Sequence, residues 1–412
     1  MTGREQPTRG ASIAARWEAA VRLVAEHRDV LDARPGDDQE APAALVARGW
    51  APFLSSLDDA RLDTLEIEGH DAAWPDGAPA SLVALVLRAR EVCAIAPLPL
   101  EPGSLGRARR QEKPRKRAQI DAFARLVLPL ASDAKRVVDV GSGHGHLTRE
   151  IAERLSLPVV GLERDDALAT RARSLTASAS PSFAVTDVLR DGLPLAAGDC
   201  VIGLHACGEL GDAMVESVAR SRASLALVGC CLQKRRALSR RLLCAAPENA
   251  ASLGTALDLP RDLLGLSNLT ARDEGVEATR TENLAGRERR LALHRLLSGD
   301  GSTPLRLGAE IDGLNRRAAQ GDLASLVRRA FALRGLSAPA PEAIDEASSW
   351  AHTHHARQRR LSLPRAMLAR VLEVMVLLDR ARYLEERGFD VALGTLFPAA
   401  VSARNLALTA TC

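Results

Sequence analysis

Between residues 119 and 230 the chain alternates short apolar runs with segments of helical spacing, and this alternation restricts the fold more than any other feature. The predicted strands are 137–140, 159–162, 183–185, 200–204 and 225–228. The predicted helices are 120–130, 146–155, 167–177 and 212–219. Because strands that alternate with helices form a parallel sheet covered on both faces, the sequence predicts a doubly wound α/β domain.

The rest of the chain is predicted to be mainly helical, apart from its end. Helices are expected within 12–31 and 80–95, and a helical insertion over about 236–360. A long helix over 364–387 ends at Gly388, and strands follow at 391–397 and 405–410. The predicted division is an N-terminal helical region (1–105), a basic linker (106–118) and a catalytic domain (119–412). The basic run is either a phosphate-binding segment or a solvated linker.

Composition narrows the class of protein. The formal net charge of +3 is too small to indicate nucleic-acid binding by itself. No apolar run is long enough to cross a bilayer, and residues 1–11 lack a signal-peptide core, so we expect a cytoplasmic protein without a membrane partner. The seven cysteines are irregularly spaced, which predicts reduced thiols rather than a disulfide framework.

A glycine loop follows the first predicted strand, in the segment VVDVGSGHGH at 137–146. Its spacing is G-x-G-x-G, and His146 occupies the position where a dinucleotide loop needs a small residue, which disfavours NAD and FAD. Asp139, just before the loop, suits a ligand with an amino group and a sulfonium better than a pyrophosphate. The sequence therefore predicts S-adenosylmethionine, with the loop contacts Gly141, Ser142, Gly143, Gly145 and His146.

Further contacts with the cofactor are expected where the next strands end. Glu163 follows the second strand and is predicted to accept hydrogen bonds from the ribose hydroxyls. Asp187 follows the third strand and is predicted to accept from the adenine amino group; the alternative is a turn or helix-cap aspartate. Leu204 ends the fourth strand and is also assigned to the cofactor site. Open α/β sheets bind ligands at these carboxyl ends.

Histidine and cysteine residues follow the fourth and fifth strands. His205 is a candidate general base, and Cys207 and Cys230 are candidate nucleophiles; the alternative is that the small thiols only pack at the sheet edge. Zinc is disfavoured because a regular C-x-x-C pair is absent, and the tract His352–His355 is interpreted as a helix surface, so no metal site is predicted.

Three segments resemble one family. The family consists of methyltransferase-like proteins related to the ribosomal RNA adenine dimethylase domain-containing proteins. Its glycine loop reads VDVGSGKGHLS, and this chain has VDVGSGHGHLT at 138–148. Its later segments GLHTCGDL and GCCY resemble GLHACGEL at 203–210 and GCCL at 229–232. The tail at 397–410 and the stretch EKPRKRAQI are also similar. The resemblance covers about 115–235 and 365–410. The chain departs from the family at His144, Gln119 and Leu232, where a lysine, a histidine and an aromatic residue are expected.

The resemblance implies a Rossmann-like class I methyltransferase sheet, mostly parallel with an antiparallel final strand, and S-adenosylmethionine as cofactor. RNA or an RNA-associated protein is the expected methyl acceptor. One alternative is covalent C5 methylation of cytosine through Cys207 or Cys230, and another is a binding or scaffold protein without turnover. No NPPY or DPPY segment, typical of adenine N6 methylation, follows the fourth strand.

Overall fold

The computed structural model describes residues 12–34, 40–100, 113–176, 180–245, 257–268, 279–299, 305 and 308–412. These residues form two compact units. The first contains the described residues of 1–28, 88–271 and 368–412, and the second contains those of 29–87 and 272–367. This grouping differs from the division predicted at 105 and 118, because the N-terminal helical region contributes to both units.

The strands are, in chain order, β1 (Arg136–Val140), β2 (Val159–Glu163), β3 (Ser182–Val185), β4 (Asp199–Ala206), β5 (Ser224–Gly229), β6 (Ser239–Arg240), β7 (Leu259–Pro260), β8 (Asp390–Thr395) and β9 (Leu406–Thr411). The helices of the first part of the chain are α1 (Ile13–Glu26), α2 (Arg28–Asp32), α3 (Ala43–Ala47), α4 (Ala51–Ser56), α5 (Asp59–Glu68), α6 (Ala80–Cys93) and α7 (Pro114–Leu130). The later helices are α8 (His146–Arg154), α9 (Asp166–Ser174), α10 (Val188–Asp191), α11 (Glu209–Ser221), α12 (Arg261–Leu264), α13 (Arg280–Ser298), α14 (Leu323–Leu333) and α15 (Pro341–Glu385).

A seven-stranded sheet forms the centre of the first unit, in the order β3-β2-β1-β4-β5-β9-β8. Strands β1 to β5 pair in parallel, and β9 pairs antiparallel with both β5 and β8. The order reverses between β1 and β4, so their carboxyl ends form the crevice in which such sheets bind ligands. The predicted fold class, a mostly parallel Rossmann-like sheet with an antiparallel final strand, is confirmed.

Both faces of the sheet are covered, as the continuous apolar strands require. Ala226 and Val228 of β5 join a cluster with Phe123 and Val127 of α7. The intervening Leu225 and Leu227 are also buried, and because side chains alternate along a strand they face the opposite side. Within the described residues, no helix combines the length and the apolar character needed to cross a membrane.

Two helices begin earlier than predicted. Helix α7 starts at Pro114, so part of the predicted linker is helical. Proline suits this position because the first turn needs no N–H partner within the helix. Helix α15 has 45 residues and starts at Pro341, with Pro364 inside it rather than at its beginning. The prediction placed the start at Pro364 because proline usually marks a helix boundary, and the helix instead continues through this residue.

The described residues of the insertion after β5 are mostly helical, as predicted, and include a short two-stranded element, β6 with β7. In the second unit, Leu293 of α13 packs against Val327 and Phe331 of α14. Another part of α13 packs against Ala347 and Ala351 of α15. These apolar contacts give the second unit a core of its own.

Candidate functional site

The glycine loop connects β1 to α8 at the crevice. Gly141, Gly143 and Gly145 have φ angles of 75°, 55° and 70°. A side chain raises the energy of this left-handed region, so the tight turn requires glycine at these positions. The loop is held to β2, because the N–H groups of Gly141 and Ser142 donate to the carbonyl oxygen of Leu162, at 2.8 and 3.1 Å.

Two observations in this loop fit a ligand that lies against the backbone. A Cβ added to Gly143 would meet no atom within 4 Å, and one added to Gly141 would meet only Leu210, at 3.8 Å. The hydroxyl of Ser142 is buried without a hydrogen-bond partner among the described residues. The loop therefore offers close approach and one polar group able to bond a ligand, which fits the predicted cofactor.

Asp139 lies at the centre of the sheet beneath the loop and is 2% exposed. Its Oδ2 accepts a hydrogen bond from Thr148 Oγ1 at 2.6 Å. Burial raises the pKa of Asp139 to about 7, against the hydrogen bond from Thr148, and the nearby Glu163 raises it further. A bound cation would favour the ionised form of this carboxyl group. The sequence did not identify Thr148, which the first turn of α8 brings to this position.

Glu163 ends β2 next to the loop and is 9% exposed. Its carboxylate accepts from the N–H groups of Gly143, at 2.9 Å, and Asp165, at 3.0 Å. A carboxylate has about four acceptor positions, so about two remain for the hydroxyls of a ribose. The predicted role of Glu163 is compatible with this geometry and remains a prediction.

Asp187 follows β3 and caps α10, since its Oδ1 accepts from the N–H of Leu189 at 3.2 Å. Its Oδ2 accepts from Arg236 Nη2 at 2.6 Å. The helix-cap interpretation of this aspartate is therefore correct, and the adenine contact remains a prediction. Arg236 was not identified from the sequence, because it lies beyond β5 and only the fold brings it to the end of β3.

His205 lies at an irregularity near the end of β4, where the register with β5 shifts between Leu204 and Ala206. Its φ angle is 68°, which is costly for a residue with a side chain and typical of functional positions. Its Nε2 is 3.1 Å from Oε1 of Gln119, a buried residue of α7. Burial lowers the pKa of His205 to about 4, and Arg115, Arg404 and Lys116 lower it further.

The neutral imidazole and its amide partner select one tautomer. Because the Gln119 oxygen only accepts, Nε2 of His205 donates and Nδ1 is the unprotonated nitrogen. Gln119 stands where the resembled family has histidine, and here it orients the imidazole.

Cys207, from the loop after β4, meets Cys230 and Cys231, which follow β5. The three sulfurs lie within 4.8 Å of one another, and those of Cys207 and Cys230 are 2.6 Å apart. The hydrogen bond from Cys230 lowers the pKa of Cys207 to about 6, against the effect of burial, and Lys234 contributes. The same contact raises the pKa of Cys230, and burial raises it further.

The other cysteines whose pKa is shifted behave as packed apolar residues. Burial raises the pKa of Cys93 and Cys200 to about 12 and also raises that of Cys244. The absence of a metal site was predicted from sequence spacing and remains a prediction. Spacing could not show that the three sulfurs converge, because they come from the ends of two different strands.

The remaining predicted residues have less distinctive surroundings. His146 begins α8, with its ring 6.2 Å from that of His144. Leu204 packs partly buried against the apolar cluster under α7. Leu232 and Phe397 are also buried, at 3% and 6% exposure, so the aromatic ring of Phe397 is covered by protein.

The histidine tract on α15 does not converge on one point. His352 Nδ1 lies 3.0 Å from Glu288 Oε1, while the ring of His354 stacks on Trp350 at 4.5 Å. Burial lowers the pKa of His355 to about 4. Among the described residues, the cysteine cluster is the group whose ligand atoms converge as a metal site requires.

Comparison with known proteins agrees with the fold and the loop. Residues 115–237 match a family described as a methyltransferase domain. The match includes the glycine loop, Glu163, Asp187, His205 and the cysteine cluster. Over these residues the chain is therefore similar to a methyltransferase domain, which agrees with S-adenosylmethionine as the predicted cofactor. The finer resemblance, to proteins related to ribosomal RNA adenine dimethylases, remains a prediction.

Solved structures give weaker similarities. A TehB-like SAM-dependent methyltransferase from Corynebacterium glutamicum is 17% identical, with a TM-score of 0.22, over 26% of this chain and 61% of that one. Magnesium protoporphyrin IX methyltransferase from Synechocystis with bound SAH is 19% identical, with a TM-score of 0.24, over 30% and 64%. Each match spans less than two thirds of the other protein, so the fold assignment depends on the sheet order.

Proposed function

We propose that this chain transfers a methyl group from S-adenosylmethionine to RNA or to an RNA-associated protein. The cofactor supplies an electrophilic methyl group on a positively charged sulfur. The loop of Gly141, Gly143 and Gly145 would hold it, with Asp139 and Glu163 as its acidic neighbours. These residues lie at the carboxyl ends of β1 and β2, and His205 ends β4, so donor and acceptor meet at the crevice.

The positive charge around His205 is the observation that supports RNA or an RNA-associated protein as the methyl acceptor. Arg115 and Lys116 are exposed in the first turn of α7, and Arg404 lies behind them, 6% exposed. All three act on His205 strongly enough to contribute to its lowered pKa. Lys234 adds an exposed cation beside Cys207. Such a cluster attracts a polyanion such as the phosphate backbone of RNA.

His205 is proposed to orient the acceptor. Its Nδ1 would accept a hydrogen bond from the N–H or O–H group that becomes methylated, while Gln119 holds Nε2. A neutral imidazole suits this position because a cation would repel the sulfonium. As the acceptor forms its bond to the methyl carbon, the methyl–sulfur bond would break to leave S-adenosylhomocysteine, and the acceptor's proton would pass to Nδ1 of His205 and from there to water. Positioning of this kind supplies much of the acceleration of a two-substrate reaction.

The covalent alternative is supported by the lowered pKa of Cys207. Its thiolate would add to C6 of cytosine, C5 would then take the methyl group, and loss of the C5 proton would expel the thiolate. A 5-fluorocytosine RNA cannot lose that proton and would remain attached to Cys207. The attachment would be abolished by Cys207→Ser, and its absence from wild-type protein excludes this route.

The test of the acceptor class is transfer of a radiolabelled methyl group into RNA and protein fractions of an extract, each treated with ribonuclease or protease. We expect label in one of these fractions, and loss of most of it in Arg115→Glu and Lys116→Glu. Arg220→Glu is the matched control, because this exposed arginine ends α11, at the opposite end of the sheet. Cofactor binding without label in any fraction would instead indicate a scaffold, and equal loss in the control would reject the cationic surface.

A further inference from the structure

The cysteine cluster unites two loops that are fixed relative to each other. The N–H of Glu209 donates to the carbonyl oxygen of Lys234 at 3.2 Å, and the N–H of Lys234 donates to that of Cys231 at 3.0 Å. Gly208 has a φ angle of 51°, and a Cβ there would lie 2.2 Å from the Lys234 oxygen. The close approach of the loops therefore needs glycine next to Cys207, and it holds Cys207 against Cys230 and Cys231.

Two basic residues lie close to the cluster. Lys234 is exposed, and its backbone lies against Gly208, the residue after Cys207. Arg404 is 6% exposed and donates from Nη1 to the carbonyl oxygen of Cys230 at 2.7 Å. Three thiolates around a divalent ion leave a net charge of −1, which these cations would balance. An isolated packing cysteine needs neither convergent sulfurs nor cations.

We propose that Cys207, Cys230 and Cys231 bind a thiophilic divalent metal ion of the zinc class, with its fourth coordination position open. Zinc takes thiolate ligands at about 2.3 Å in a tetrahedron, which places sulfurs about 3.8 Å apart. All three sulfurs lie within 4.8 Å of one another, which is compatible with this geometry once those of Cys207 and Cys230, 2.6 Å apart, move further from each other. Three protein ligands with one open position are typical of zinc sites that bind a substrate or water.

The site lies at the ends of β4 and β5, beside His205. Both Cys207 and Cys230 lie close to the carbonyl oxygen of His205, with sulfurs at 3.1 and 3.5 Å. A metal here would fix the loop that presents His205 and would offer its open position to the acceptor. A metal ion would also be bound by the Cys207 sulfur, which would then not be available to form the adduct with 5-fluorocytosine RNA. The metal site and the covalent route therefore predict opposite reactivity for Cys207.

The test is titration of the reduced full-length protein with Co²⁺, in which binding is monitored by the thiolate-to-cobalt charge-transfer absorption. The bound Co²⁺ is then displaced with Zn²⁺. We expect one ion per chain. Cys207→Ser and Cys230→Ser should each weaken binding at least about tenfold, since even residues behind the ligands have effects of that size. Cys412→Ser is the matched control, because Cys412 is exposed and distant in the fold from the cluster, and it should leave binding unchanged.

A second measurement needs no variant. Zn²⁺ should protect Cys207, Cys230 and Cys231 from alkylation, read by peptide mass spectrometry, and should leave Cys412 reactive. The proposal is overturned if the reduced protein binds no stoichiometric metal, if binding survives loss of both Cys207 and Cys230, or if Cys207 and Cys230 are recovered as a disulfide. Cofactor titration of the same samples is independent, so failure of the metal site would not be mistaken for failure of the proposed methyltransferase activity.

Discussion

Alanine replacement of two glycines in the loop after β1 distinguishes two effects on stability, the strain of the backbone and the steric overlap of the new side chain with a neighbour. Gly143 and Gly145 both have positive φ angles, 55° and 70°. A Cβ at Gly143 would meet nothing within 4 Å, whereas a Cβ at Gly145 would lie 2.5 Å from Cε1 and Cζ of Phe183. It would also lie 3.0 Å from Nη1 of Arg149. The two alanine variants therefore differ mainly in steric overlap.

The expected magnitudes follow from these contacts. Gly143→Ala should lower the free energy of unfolding by about 1–2 kcal/mol, the cost of a left-handed residue with a side chain. Gly145→Ala carries the same cost and adds about 1–3 kcal/mol of overpacking, because Phe183 is buried and cannot move freely. The difference between the two variants should therefore be about 1–3 kcal/mol.

Native-state hydrogen exchange measures this difference in peptides from β1 and β4, which belong to the first unit, so that opening of the second unit does not contribute. The free energy of opening should fall more in Gly145→Ala than in Gly143→Ala. Equal losses, or a larger loss in Gly143→Ala, would show that Phe183 does not restrict the loop as described, and the reasoning would be refuted.

Three further predictions concern titratable groups. Asp212 is buried among arginines that lower its pKa, so Asp212→Asn should lower the free energy of unfolding by about 3–5 kcal/mol in denaturant unfolding. Asp191→Asn is the control, because Asp191 belongs to an exposed ion pair and its loss should not change the unfolding midpoint measurably. The stability that Asp212 contributes should be lost as the pH falls below about 4. Because the pKa of Asp139 is raised to about 7, the folded state retains a proton that the unfolded state releases, and the free energy of unfolding should fall as the pH rises toward 7. Asp139→Asn should remove this contribution to the pH dependence of the free energy of unfolding between about pH 5 and pH 7. Because the pKa of His205 is lowered to about 4, kcat/KM for the methyl acceptor, measured with S-adenosylmethionine saturating so that Asp139 does not contribute, should show no inflection near 6.5; such an inflection would contradict the buried neutral imidazole. Gln119→Leu should lower kcat without changing the KM for S-adenosylmethionine.

Most of the fold of the first unit could be predicted from local sequence patterns. The alternation of apolar runs and helical spacing located β1 to β5, because the centre of each strand is made mainly of apolar residues that the sheet buries. The loop of Gly141 to Gly145 was recognisable because only glycine tolerates its backbone angles. Residues that end the strands, such as Glu163 and His205, followed from the same alternation.

What escaped prediction depends on contacts distant in sequence. The start of α15 at Pro341 was not predicted, because Pro364 was interpreted as the first residue of the helix and lies inside it. The convergence of Cys207 with Cys231 depends on how two strand ends meet, which residue spacing does not report. The hydrogen bond of Gln119 to His205 joins residues 86 positions apart, and it requires α7 to pack beside β4.

The central claim is that the loop after β1 and Glu163 bind S-adenosylmethionine. Calorimetric titration of purified protein with S-adenosylmethionine, S-adenosylhomocysteine and NAD tests it most directly. Asp165→Asn is the matched control for Glu163→Ala, because this exposed carboxylate lies two positions away and only caps α9. The account predicts micromolar binding of the first two ligands, lost in Glu163→Ala and retained in Asp165→Asn. Absence of binding, a preference for NAD, or unchanged affinity in Glu163→Ala would contradict it.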